Sequence, residues 1–135
     1  MSDSLAVPPH DPPSAGGLPA SIGRRLAELA AIADDDGVGV SAESRKDLSR
    51  FLSTKSGVKP PSLYLLDNGN LRAVWWNDRG EQLALQFRGG GEVQYVIFAK
   101  REDAPGGMGR SSGRDGFHGI DRLIDAFDAR RLMRS

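Results

Sequence analysis

The sequence predicts an α+β fold, a four-stranded antiparallel β-meander packed with two N-terminal helices and one C-terminal helix. Three observations carry that expectation. Between Leu63 and Ile97 apolar residues recur at every second position in four runs, and Asn, Asp and Gly clusters separate the runs. Ahead of these runs apolar residues recur at steps of three and four, the period of one helix face. The same helical spacing returns after Phe117.

Taken in order, residues 1–17 hold Pro8, Pro9, Pro12, Pro13, Gly16 and Gly17 among small polar residues. So little apolar surface cannot offset the entropy of ordering, so a disordered tail is expected, followed by one domain over 18–135. Pro19 suits the first turn of a helix, where its missing N–H is harmless. Ile22, Leu26, Leu29 and Ile32 give that helix, over about 19–33, its inner stripe. Ser41 is an N-cap for a second helix, with Leu48, Phe51 and Leu52 inside and Gly57 beyond its end. Pro60 and Pro61 mark the passage to extended chain.

Leu63 and Leu65 precede the turn Asp67-Asn68-Gly69-Asn70. Leu71, Ala73 and Trp75 precede Asn77-Asp78-Arg79-Gly80, and Leu83, Leu85 and Phe87 precede Gly89-Gly90-Gly91. Val93, Tyr95 and Ile97 form the fourth run. Period two bounded by such turns reads as strands joined by hairpins. A Gly-rich mobile loop is expected over 101–114. Asp115 then caps a final helix whose stripe is Phe117, Ile120, Ile124 and Phe127, with Leu123 beside it.

The opposite sheet face then carries Tyr64, Leu66, Arg72, Val74, Trp76, Gln82, Ala84, Gln86, Arg88, Gln94, Val96 and Phe98. Trp75 and Trp76 are adjacent, so a strand points them to opposite faces. Only one of them can enter the core of a two-layer domain. The face is apolar for a solvated one, and Trp and Arg are favoured at interfaces. We therefore place partner binding at Trp76, Arg72, Val74, Arg88 and Phe98. The alternatives are a three-layer core, with the first helices over this face, and an aromatic and arginine platform for nucleic acid.

Composition narrows the function. The chain has 18 basic and 18 acidic side chains and no net charge, which argues against a global pull toward nucleic acid or anionic membrane. No cysteine is present, so disulfides, thiolate catalysis and Cys-based zinc sites are excluded. The N-terminus lacks the basic and apolar regions of a signal peptide, and no apolar run approaches a membrane helix, so a cytoplasmic location is expected.

Four features invite chemistry. His118 is the one histidine outside the tail, and it reads as a surface residue at a helix start. Asp121, Asp125 and Asp128 share a helix face and offer oxygen ligands for a divalent cation, but Arg122, Arg130 and Arg131 make a solvated charged face the simpler reading. Asp34–Asp36 lack the alternating ligands of an EF-hand. The stretch Gly106–Arg114 lies between a strand and a helix, a context for anion capture through Arg110 and Arg114, yet it lacks the Lys-Ser/Thr pair of a P-loop. No acid/base or nucleophile arrangement emerges, so neither an enzyme nor a cofactor is expected.

Asp35-Asp36-Gly37-Val38-Gly39, Ser41 with Leu48-Ser49-Arg50-Phe51-Leu52, and Pro61, Trp75, Leu83, Leu85, Phe87, Gly91 and Tyr95 stand in a recognisable order. Over residues 20–99 the chain resembles small uncharacterised bacterial helix-helix-β-meander proteins, often encoded near toxin–antitoxin or defence genes. It lacks the Trp of their connector. The resemblance implies a non-catalytic module that binds another protein chain, a hetero-partner or a second copy, as an antitoxin, immunity or anti-defence factor. It transfers no catalytic residue. The alternative is a nucleic-acid-binding accessory protein using the aromatic and arginine sheet face.

Overall fold

A computed structural model describes residues 20–36, 39–55, 57–103 and 105–134. The expected tail, 1–17, lies outside them. Two helices, α1 (Ala20–Asp36) and α2 (Ala42–Ser53), precede five strands. These are β1 (Ser62–Leu65), β2 (Leu71–Trp76), β3 (Gln82–Gly89), β4 (Glu92–Lys100) and β5 (Met108–Gly116), and α3 (Phe117–Ala126) follows. The five strands form one antiparallel sheet in sequence order. All three helices pack on the face bearing Leu63, Leu71, Trp75, Leu83, Leu85, Phe87, Val93 and Ile97.

The α+β meander is therefore present, with one correction: it has five strands, not four. Residues 108–114 of the expected loop belong to β5, paired with β4 from Lys100↔Met108 to Glu92↔Gly116. Three glycines and no β-branched or aromatic residue disguise this strand. Its inward positions, Gly109, Ser111, Gly113 and Asp115, face the β4 residues Ala99, Ile97, Tyr95 and Val93. A Cβ on Gly113 would stand 3.1 Å from the Tyr95 hydroxyl, so the Tyr95 side chain occupies the space that a side chain there would need.

A second correction concerns α1. Its inner stripe is Ile22, Leu26, Leu29 and Ala33, and Ile32 is exposed. At about 100° per residue Ala33 falls on the line set by the first three, whereas Ile32 lies roughly 90° away. In α2 the expected cap and inner face are both present: Ser41 Oγ accepts from the Ser44 amide at 3.2 Å, and Leu48, Phe51 and Leu52 are buried. Asp115 is not the cap of α3; that place falls to Gly116.

Hydrogen bonds bolt α2 to the hairpin ends. The Leu71 amide donates to buried Ser44 Oγ, and the Gly91 amide donates to Asp47 Oδ2, each at 2.8 Å. The Ser41 amide donates to the Gly69 carbonyl at 2.8 Å. Gly69 has φ +86° and lies against Gly39, so this turn admits no larger residue. Phe51, Phe87 and Phe117 then form a three-ring cluster, with centroids 5.6 to 6.5 Å apart, that joins α2, β3 and α3.

Candidate functional site

With the helices on one face, no described element covers the other. Trp75 is 1% exposed and its Nε1 donates to the Lys59 carbonyl at 2.9 Å. Trp76, one residue on, is 48% exposed, and Tyr64 is 45% exposed on the same open face. The expected division of the two tryptophans is therefore present, and a three-layer core enclosing Trp76 is not.

Strand register arranges this face in rows. The middle row is Ser62, Val74, Ala84, Val96 and Ser112. On one side lie Tyr64, Arg72, Gln86, Gln94 and Arg114. On the other lie Trp76, Gln82, Phe98 and Arg110. Small residues thus form a floor, and long polar and aromatic side chains stand around it. Three of the five residues placed at the partner site, Arg72, Trp76 and Phe98, stand in those outer rows, and Arg88 lies beyond them beside Glu92. Val74 is buried in the floor, because its neighbours on this face outreach it.

The surround is only partly self-satisfied. Arg88 donates to Glu92 Oε1 at 2.9 Å and to Gln94 Oε1 at 3.2 Å. The Arg110 guanidinium lies 5.5 Å from the Phe98 ring centroid, so one aromatic already holds a cation. Asn68 and Asn70 donate to Gln86 Oε1 at 3.3 and 3.1 Å. Arg72 sits in no ion pair among the described residues. A hollow lined by Leu66, Arg72, Ala84, Gln86, Gln94 and Val96 holds about 140 Å³, room for a side chain and less than the roughly 300–1,000 Å³ of a small-molecule pocket.

The other candidates resolve into structure. Asp121 pairs with Lys55 at 3.1 Å, Asp125 with Arg130 at 2.6 Å, and Asp128 with Arg131 at 3.2 Å. These carboxylates are neutralised by cations of the chain itself. Among the described residues no cluster of His, Cys, Asp or Glu could hold a metal ion. His118 is exposed at the start of α3. Residues 106–114 make no anion cradle, because Arg110 and Arg114 project from β5 onto the open face, while Gly109 and Gly113 face inward.

The most perturbed carboxyl, Glu81, was not foreseen. It sits buried at the β2–β3 turn and accepts from both terminal nitrogens, Nη1 and Nη2, of the Arg131 guanidinium. Asn77 Nδ2 and the Lys100 amide also donate to it, each at 2.9 Å. The Arg131 hydrogen bonds, more than burial opposes them, hold its carboxyl far below the usual range. Every lone pair direction is taken up by the fold, so Glu81 is a fastener between a hairpin and the C-terminal turn Arg130–Met133. Sequence spacing carries no signal for it, since its partner is 50 residues away.

No family model matches the chain, and no curated protein or solved structure shows a significant likeness to it. Among the described residues no helix is long and apolar enough to cross a membrane.

Proposed function

We propose that this chain is a non-catalytic interaction module that binds another protein through its open sheet face, in the manner of an antitoxin, immunity or anti-defence factor. One observation carries the docking reading: Trp76 stands 48% exposed on a sheet face that no described element covers. An amphipathic aromatic held on a rigid strand loses little entropy on contact, which is why such residues become binding hot spots. Arg72, Arg88 and Phe98 surround the same surface, and Val74 supports it from below. The choice among antitoxin, immunity and anti-defence roles rests on the resemblance of residues 20–99 alone.

The test is site-specific photo-crosslinking in the native host. With p-benzoylphenylalanine in place of Trp76, irradiation is expected to give a discrete protein adduct. The same probe at Arg122, on the exposed side of α3, is expected to give none. Absence of an adduct at position 76, or equal adducts at both positions, overturns the docking reading. A nucleic-acid adduct supports the alternative, an accessory protein in which Tyr64, Trp76 and the nearby arginines contact a strand; that binding would weaken steeply with salt.

A further inference from the structure

We infer that the protein seated on this face presents an acidic surface and is not a second copy of this chain. The inference rests on the docking reading above and adds the chemistry of the partner.

The chain as a whole is neutral, but its charges are segregated. Among the described strand residues, Arg72, Arg88, Lys100, Arg110 and Arg114 project from the open face, and Glu92 is the one acid that does. The face therefore carries an excess of four positive charges. Some of those cations are paired within the chain and some are not, and among the described residues unpaired cations, including Arg24, Arg45 and Arg122, also stand on the helix side. On the helix side Lys55, Arg130 and Arg131 each hold a carboxylate. On the open face Glu92 is engaged by Arg88, and Arg114 stands 4.0 Å from that same carboxylate. Arg72 and Lys100 sit in no ion pair among the described residues, and Arg110 rests on Phe98. Clustered like charges raise the local potential, steer an oppositely charged surface and penalise the wrong one.

Geometry favours a protein partner over the alternatives. Arg72 and Arg114 flank the two glutamines of one cross-strand row, about 14 Å apart at the usual strand spacing, and Arg110 stands two turns of the pleat along β5. Between them lie the Gln86 and Gln94 amides and the Ala84 and Val96 floor. Arginine around an amide and apolar centre is the anatomy of a protein–protein contact. A nucleic-acid platform stacks successive bases on neighbouring rings. Here Trp76 and Tyr64 lie roughly 14 Å apart by strand geometry, and Phe98 already holds Arg110. A second copy fits no better, because a two-fold contact of this face with itself sets one net-positive surface against another.

The probe is a random copolymer of glutamate and tyrosine in a 4:1 ratio, with a lysine and tyrosine copolymer of the same ratio and a 20-residue oligothymidylate for comparison. Binding to the intact chain is followed by fluorescence anisotropy at 150 mM and 500 mM salt. Binding to the glutamate copolymer is expected, weakening at high salt, with neither comparison polymer binding as tightly. The Arg72→Glu, Arg110→Glu, Arg114→Glu triple variant is expected to lose tenfold or more of that affinity, and the corresponding triple Gln variant less. An Arg24→Glu, Arg45→Glu, Arg122→Glu variant on the helix side is expected to change it less than twofold. Circular dichroism of each variant confirms that the fold is kept, and the Gln variant carries the test if charge reversal unfolds the chain. Equal losses from the two faces, or no preference for the glutamate copolymer, overturn the inference. Tighter binding of oligothymidylate overturns it in favour of nucleic acid. If the photo-adduct at position 76 survives the triple reversal, the docking reading stands and the acidic partner does not.

Discussion

At the scale of single residues, Trp75 and Trp76 show how one peptide bond separates a stabilising role from an exposed one. Trp75 is enclosed and its indole N–H is satisfied, so Trp75→Ala is expected to cost about 3–5 kcal/mol, as truncation of a buried large aromatic does. Trp76→Ala is expected to change urea unfolding far less and to weaken partner binding by about 2 kcal/mol. Equal effects of the two on unfolding would refute the division. Glu81 makes a different claim. Its ionised form is favoured in the fold, so the stability it adds is complete above the carboxyl pKa of the unfolded chain, about 4.3. That stability is lost as pH falls from there toward its depressed folded value. Glu81→Gln is expected to cost about 2 kcal/mol at neutral pH, less than the roughly 3–5 of a fully buried pair because Arg131 is partly solvated. Its urea midpoint is also expected to fall less steeply than wild type between pH 5 and pH 3. Parallel pH profiles would show that Glu81 is not the linked group.

At the scale of elements, β5 is the informative one. Its backbone pairs with β4 along nine residues, yet it places no large apolar side chain in the core. Tyr95 fills the space opposite Gly113, so a glycine that weakens a strand by propensity is required here by packing. Gly113→Val is therefore expected to destabilise by about 1–3 kcal/mol through overcrowding, despite the higher strand propensity of valine. A more stable variant in urea would contradict this. The same element places Arg110 and Arg114 on the open face, so its assignment as a strand also decides where the positive charge goes.

At the scale of the whole molecule, three helices on one side of a five-stranded sheet leave a bare face with an excess of cations, on a chain of zero net charge. Face-to-face pairing of two copies opposes those charges. The chain is thus expected to sediment as a single 14.5 kDa species at physiological salt. A dimer that Trp76→Ala abolishes would show that the face pairs with itself.

The meander, the cap at Ser41, the inner face of α2 and the stripe of α3 were legible in the residues, because each depends on local period and turn chemistry. The division of Trp75 from Trp76 followed for the same reason, since alternation is a property of the strand itself. The fifth strand was not legible: pairing with β4 makes Gly109 and Gly113 strand residues, and the side chains of Arg101 and Tyr95 fill the space a larger residue would need there, neither of which the local pattern records. Ile32 was misplaced although its angle about the helix axis was available. Three facts belonged to tertiary structure alone, namely the side of the sheet on which the helices settle, the burial of Val74 beneath longer neighbours and the grip of Arg131 on Glu81. Each depends on which surfaces meet across long stretches of chain, and period and propensity, being local, do not encode that.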